Sequence, residues 1–265
     1  MMIRLNGGMG NQMFQYAFGI SLGARWNEKP YFHKVGLDNG QHRAYSLDSF
    51  NTEVEFKNPE SGPVYGEPVF RFDPKVYDQP KNTYFAGCWQ TEKYFNETLV
   101  RGHFTLRNPL SPESFRQLEQ INKFISCAIH VRRTDYLIPS VQQYHGLMGM
   151  DYYKAAMEYV ESRVPYVQFF VFSDDPKWCK QTFDKSVAIV DVNGFGNGTT
   201  GPQREHEDLY LMSQCNHAII PNSSFGWFGA WLNPWKRRIV VAPKVWFQKP
   251  GLAYDDIVPD RWVKI

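Results

Sequence analysis

Apolar residues fall in two textures along this chain. From about residue 111 onward, short unbroken apolar runs alternate with longer stretches of helical period. The runs predict strands at 125–131, 167–173, 187–191, 217–220 and 238–242. The stretches between them predict helices at 151–163, 176–183, 205–214 and 223–233. Ser111-Pro112-Glu113-Ser114 opens one more helix, with a capping serine and a proline in the first turn. Strands alternating with helices predict a parallel, doubly wound sheet.

Upstream the pattern is less regular. Ile3 to Leu5 predicts a short buried strand, Asn6 to Asn11 a turn, and Gln12 to Trp26 a helix. Met13, Tyr16, Ala17, Ile20 and Ala24 fall near one face of that helix. Residues 31–80, rich in Pro, Gly and aromatics, predict short strands and loops. Thr83 to Cys88 predicts another buried strand, and Glu92 to Val100 a helix. Asn108-Pro109-Leu110-Ser111-Pro112 reads as a hinge. The expected fold class is therefore α/β, with two Rossmann-like domains, 1–110 and 111–265, facing each other across a cleft.

Composition narrows the function. With 265 residues the chain can bury one large or two modest cores. Hydrophobic content of 43% and charged content of 21% exclude a disordered chain. Its 29 basic and 27 acidic residues nearly balance, which argues against a nucleic-acid partner held by bulk charge. Cys88, Cys127, Cys179 and Cys215 share no metal-type spacing and sit in or beside apolar segments. Free thiols in a reducing compartment are expected. No basic-then-apolar leader precedes the first strand, and no apolar run spans a bilayer. A cytoplasmic location is expected, with peripheral membrane association left open. The glycosylation triplets at Asn96, Asn197 and Asn222 are chance matches in such a chain.

The chemistry concentrates at one edge. In doubly wound sheets ligands bind beyond the carboxyl ends of the strands. His130 to Asp135, Ser173 to Asp175, Asp191 to Gly201 and Pro221 to Ser224 all fall there. Arg132 and Arg133 are costly at a strand mouth unless an anion meets them, and a diphosphate suits an arginine fork. Arg132 and His130 share a face, while Arg133 points elsewhere until the strand ends. Against this stands a structural ion pair of Arg132 with Asp135. Asp174 and Asp175 divide between helix capping and ligand contact, with Asp175 before Pro176 the expected cap. Asn222-Ser223-Ser224-Phe225 opens a buried helix whose free N–H groups and hydroxyls form a phosphate cradle, unless the polar groups merely cap it. Glu205 to Asp208 places carboxylates at another helix start, where they serve as dipole partners or orient an arginine.

Two glycine segments rank lower. Gly7-Gly8-Met9-Gly10 lacks the third glycine of a dinucleotide fingerprint, although Asn11 and Gln12 beside it suit a bound sugar. Gly196-Asn197-Gly198-Thr199-Thr200-Gly201 formally matches that fingerprint but runs into Pro202, so a loop is expected. The chain has no D-x-D, no H-E-x-x-H and no P-loop. No metal is therefore expected. Phosphate charge would be met by arginine and a helix end.

Gly7 to Ala17, Trp89 to Phe95, His130 to Tyr136, Phe172 to Asp175, Asp208 to Met212 with Cys215 and His217, and Asn222 to Trp227 together resemble bacterial α-1,2-fucosyltransferases. The order and spacing match over nearly the whole chain. The arginine segment is also similar to that of α-1,6- and protein O-fucosyltransferases. The resemblance implies a GT-B fold and inverting transfer of L-fucose from GDP-β-L-fucose, without a metal, to a galactoside hydroxyl of a glycan. It implies that Arg133 or Arg132 holds the β-phosphate. His130 and Asp174 or Asp175 would meet guanine and ribose, and Ser223, Ser224 and Phe225 the diphosphate, with Asn222 also in the donor site. Arg133 is expected as the main catalytic group. Asp135, then Glu207, is expected as the base, if a dissociative transition state needs one. The acceptor is expected against the first domain, near Asn11, Gln12 and the aromatic loops of 31–95. Thr134 departs from the glycine of many α-1,2 members, and the chain is somewhat short. The alternatives are another linkage or GDP-sugar, or a glycan-binding module without turnover.

Overall fold

The computed structural model describes residues 1–37, 44–192 and 204–265. It divides into two compact units: Met1–Asn108 with Gly251–Pro259, and Pro109–Pro250 with Asp260–Ile265. The segment 251–259, expected in the second domain, thus belongs with the first.

The first unit holds a four-stranded parallel sheet. Its strands are β1 (Met2–Leu5), β2 (Tyr31–Lys34), β3 (Val64–Gly66) and β4 (Tyr84–Ala86), in the order β2-β1-β4-β3. Helix α1 (Met9–Trp26) lies on it and is buried along most of its length. Close approach depends on Gly19, where a Cβ would stand 2.9 Å from Ile3 Cγ1 and 3.1 Å from Phe32 Cε1. The core under α1 is aromatic: Phe18 stacks on Trp89 at 4.1 Å, with Phe85 and Tyr94 edge-on. The predicted helix 92–100 is broken. Glu92–Tyr94 forms one 3₁₀ turn, Phe95 is extended, and α2 (Glu97–His103) starts anew. Asn96 causes the break: its side chain accepts from Leu99 N, and its own N–H donates to Ser21 Oγ. The returning segment is tied in by Arg71–Asp255 and Lys93–Asp256 ion pairs, and by Phe72 N donating to Asp256.

The second unit holds a six-stranded parallel sheet: β5 (Ser126–Val131), β6 (Gln168–Ser173), β7 (Ala188–Val190), β8 (His217–Ile219), β9 (Val240–Ala242) and β10 (Val263–Lys264). Their order is β10-β9-β8-β5-β6-β7, the Rossmann arrangement, so the connection reverses direction between β5 and β8. Strand β5 is buried at every position because helices cover both its faces. Cys127, Ile129 and Val131 pack with α5 (Met150–Glu161) and α6 (Pro176–Thr182). Ala128 packs with α7 (Glu205–Gln214) and, through Ile121, α3 (Pro112–Ile121). Helix α8 (Ser224–Trp231), apolar on all sides, follows β8. A short helix, α4 (Pro139–His145), was not predicted. None of its residues is buried, so it carries no amphipathic period. Three cysteines are buried and Cys88 is half-buried, all as free thiols. Among the described residues no helix is long and apolar enough to cross a membrane.

Candidate active site

The reversal between β5 and β8 brings the ends of these two strands together. After β8 the chain runs through Pro221, Asn222 and Ser223 into α8. Ser223 holds the N-cap position in extended geometry, yet its side chain caps nothing. No acidic residue stands in the first turn of α8. The helix start therefore offers N–H groups and a positive dipole end.

His130, the fifth residue of β5, packs against this start. Its ring lies 5.3 Å from that of Phe225, and a Cβ on Gly226 would stand 2.5 Å from its Nδ1. His130 is 5% exposed, and Nδ1 is buried with no hydrogen-bond partner. Burial, with Arg132 nearby, pushes its pKa down to about 3, so the ring is neutral. Asn222, 2% exposed, donates through Nδ2 to the His145 and Trp246 carbonyls, while Oδ1 is left without a partner. Buried orphans of this kind are rare in folded chains and call for an explanation.

Arg132 follows on the same face as His130. Its guanidinium is gripped by two carboxylates, Asp135 at 2.7 Å and Asp174 at 3.0 Å. It lies 5.9 Å from the ring centre of Tyr136, whose hydroxyl donates to the Asn222 carbonyl. The structural ion pair read from the sequence is therefore present. Two carboxylates aim the fork and leave further N–H groups free. Arg133, one of the two arginines expected on the phosphate, faces the other way. Its guanidinium lies 3.8 Å from the Trp178 ring centre on α6, and Nε reaches Asp175 at 3.4 Å.

The remaining carboxylates have defined tasks. Asp174 accepts from Arg133 N, Thr134 N and the Thr134 hydroxyl, shaping the strand-end turn. Asp175 caps α6 through Trp178 N, with Pro176 in the first turn. Asp135 is engaged with Arg132. Glu207 accepts from Ser111 N, Ser111 Oγ and Ser114 Oγ, clasping the start of α3 to that of α7. Burial alone would raise its pKa, but the Ser114 and Ser111 hydrogen bonds outweigh it and hold the carboxyl below its ordinary value. Such a group is a poor proton acceptor. Gly196–Gly201 lies outside the described residues.

The first unit has its own reversal, between β1 and β4. Gln12, expected to touch a sugar, is wholly buried. It donates to the Gly7 and Ala44 carbonyls and accepts from Ser46 N. All its polar atoms serve the loop, which corrects the expectation. Asn11 is only partly buried and accepts from Gln90 Nε2. Sequence reading missed Glu67. It follows β3 and accepts from the backbone N–H groups of Cys88 and Trp89, at 2.6 and 3.0 Å, while its other oxygen has no partner. Burial raises its carboxyl to about 7. Its only sequence signal was a carboxylate beside Pro68 in an irregular stretch. His145 was also missed. Its ring stacks on Tyr136 at 5.1 Å, and its carbonyl receives Asn222.

A Rossmann sheet with a helix start at its reversal, preceded by a second parallel-sheet unit, is the fold of the GT-B glycosyltransferases. The solved structure of NodZ α-1,6-fucosyltransferase, soaked with GDP-fucose, shares this fold, with a TM-score of 0.51 at 17% identity over 88% of this chain and 92% of that one. The chain itself belongs to glycosyl transferase family 11, whose model matches residues 70–265. It is 32% identical to an α-1,2-colitosyltransferase of Escherichia coli over 99% of this chain and 97% of that protein. To the O-antigen biosynthesis glycosyltransferase WbnK of Escherichia coli it is 29% identical, covering 98% and 99%. To human galactoside α-(1,2)-fucosyltransferase 1 it is 28% identical, over 86% of this chain and 64% of that one.

Proposed function

We propose that this glycosyltransferase moves L-fucose from GDP-β-L-fucose to a galactoside hydroxyl, with inversion to an α-1,2 linkage. The observation that carries the reading is the start of α8. An uncapped helix end, two buried side-chain atoms without partners (His130 Nδ1 and Asn222 Oδ1) and an aimed guanidinium converge on one place. A pyrophosphate would meet the Ser223, Ser224 and Phe225 segment and the Arg132 fork, with His130 and Asn222 against the nucleotide. Arg132 takes the role first expected of Arg133, because it shares the face of His130 and α8. Asp135 and Asp174 hold it in place.

As the bond to the sugar breaks, negative charge grows on the β-phosphate oxygen. Donors fixed beforehand at that oxygen lower the barrier, since they need not reorganise. Arginine and the helix dipole supply the positive charge, so no divalent ion is required. The acceptor hydroxyl attacks the anomeric carbon from the face opposite GDP, GDP leaves with the bonding electrons, and the hydroxyl proton passes to solvent water. A dissociative transition state delays that proton until the new bond is well advanced, so no strong base is needed. The first unit is the acceptor side, through Asn11 and the loops beyond β3 and β4.

A second reading concerns the donor alone. Colitose is L-fucose without its 3-hydroxyl, and the relative of that name matches along the whole chain. Incubation with GDP-fucose or GDP-colitose and a β-galactoside, followed by GDP release and linkage determination by NMR, decides between them. Transfer of fucose to the galactose 2-hydroxyl, unchanged by EDTA, is the expected result. Preference for GDP-colitose selects the second reading. Release from neither donor, or strong loss in EDTA, overturns the proposal.

A further inference from the structure

The edge opposite the ligand site is built from the loops that enter the strands of the second unit, and it carries an unusual surface. Phe124 and Ile125 precede β5 and are each 48% exposed; Tyr166 precedes β6 and is 97% exposed; Trp235 precedes β9 and is 53% exposed. In a parallel sheet, loops entering the strands share one edge, so these side chains stand along a single rim across β9, β8, β5 and β6. Cations are interleaved with them: Lys123 beside Phe124, Arg163 before Tyr166, and Lys236 and Arg237 after Trp235, all exposed. Among the described residues Lys123, Lys236 and Arg237 make no ion pair. Asp184 and Asp260 stand before β7 and β10, the outer strands, and Glu161 ends α5. The centre of the rim is therefore positive.

The rim is also braced. Asn233 Nδ2 donates to the Cys215 carbonyl and its Oδ1 accepts from Trp235 N. Asn216 Oδ1 accepts from Ser126 N, and Gln168 N donates to the Ile125 carbonyl. These bonds tie the loops before β9, β8, β5 and β6 into one frame, so the exposed rings are presented, not frayed.

We propose that this rim docks the enzyme on the surface of a bilayer containing anionic phospholipid. Tryptophan and tyrosine favour the headgroup level, where an apolar ring and a polar edge are both satisfied. Lysines and arginines beside them draw the protein to negative headgroups. Scattered exposed apolar residues need no explanation, but four along one positive edge form a patch of the kind that marks an interaction site.

The test is co-sedimentation of the full chain with vesicles of phosphatidylcholine, alone or mixed with phosphatidylglycerol, at low and physiological salt. Binding to the mixed vesicles only, weakened by salt, is expected. Each rim cation contributes about a five-fold factor, so Lys236→Gln/Arg237→Gln binds about twenty-five-fold more weakly. Trp235→Ser/Tyr166→Ser also weakens binding, and both variants keep the wild-type unfolding temperature because the altered side chains are exposed. Absence of wild-type binding to mixed vesicles, or equal binding by wild type and both variants, overturns the proposal. Retention on heparin as tight as on vesicles, unaffected by the aromatic variant, also overturns it and points to a polyanion partner instead.

Discussion

Gly226→Ala probes the site with a single carbon. The added Cβ would stand 2.5 Å from His130 Nδ1, 3.2 Å from Cγ and 3.4 Å from Cβ. Real contacts of this kind do not fall below 3.0 Å, so the imidazole must retreat by about 0.5 Å (3.0 minus 2.5) or turn about its bonds. It has little room, being 5% exposed and packed on Phe225. Forcing an extra methyl into such a place costs roughly 1–3 kcal/mol, which lowers the unfolding temperature by roughly 2–4 °C per kcal/mol in a chain of this size. If His130 bonds the nucleotide, displacement also removes a hydrogen bond of about 1.5 kcal/mol or more, a ten-fold or greater loss in GDP affinity. Melting curves and GDP calorimetry on wild type, Gly226→Ala, His130→Ala and the double variant measure both. In the His130→Ala background the new methyl has nothing to strike, so adding Gly226→Ala there should cost nearly nothing. Full additivity would refute the reasoning, because the glycine would then act through something other than the ring.

Other substitutions separate the remaining roles. Arg132→Ala should lower kcat by roughly 10²–10³, while Arg133→Ala, on the Trp178 side, should lower it less; the reverse order in steady-state kinetics would return the phosphate to Arg133. Glu207→Ala should destabilise the fold by about 1–3 kcal/mol for each of the Ser111 and Ser114 donors stranded yet leave kcat per folded molecule intact; a large kcat loss without a change in melting would restore it as the base. Because the folded Glu207 carboxyl lies below its ordinary value, its contribution is present at neutral pH and lost as pH falls through the folded value. Glu207→Gln should therefore shrink the acid-side loss of stability seen in pH-dependent melting. Glu67 has the opposite sign: its pKa is raised from 4.5 to about 7, so the folded state holds the proton longer, and stability falls as pH rises through that range. Glu67→Gln should flatten that decline, and an unchanged pH profile would show that the carboxylate is not strained by burial.

The second unit was legible in the sequence because parallel strands covered on both faces read as unbroken apolar runs between polar loops. Once the alternation was seen, the edge that carries His130, Arg132 and Asn222 followed from the common direction of parallel strands, whose carboxyl ends lie together. The outward helix α4 was not legible, since it buries nothing. Neither were the tasks of Gln12 and Glu207. Polar side chains at helix starts look solvent-facing locally. Their partners stand 32 residues away at Ala44 and 96 away at Ser111, so the evidence for burial lies in tertiary structure. The two arginines were distinguished only in part. Alternation along β5 assigned their faces, but not that Trp178 would occupy the Arg133 side. Asn96 was visible in a glycosylation triplet and overlooked as a helix cap.

The return of residues 251–259 has a consequence for anyone dissecting or recombining this enzyme. A fragment ending at residue 108 would strand Arg71, Lys93 and the Phe72 amide without the aspartates they meet. Chimaeras that exchange the amino-terminal unit between relatives must therefore carry this distant ribbon along with it.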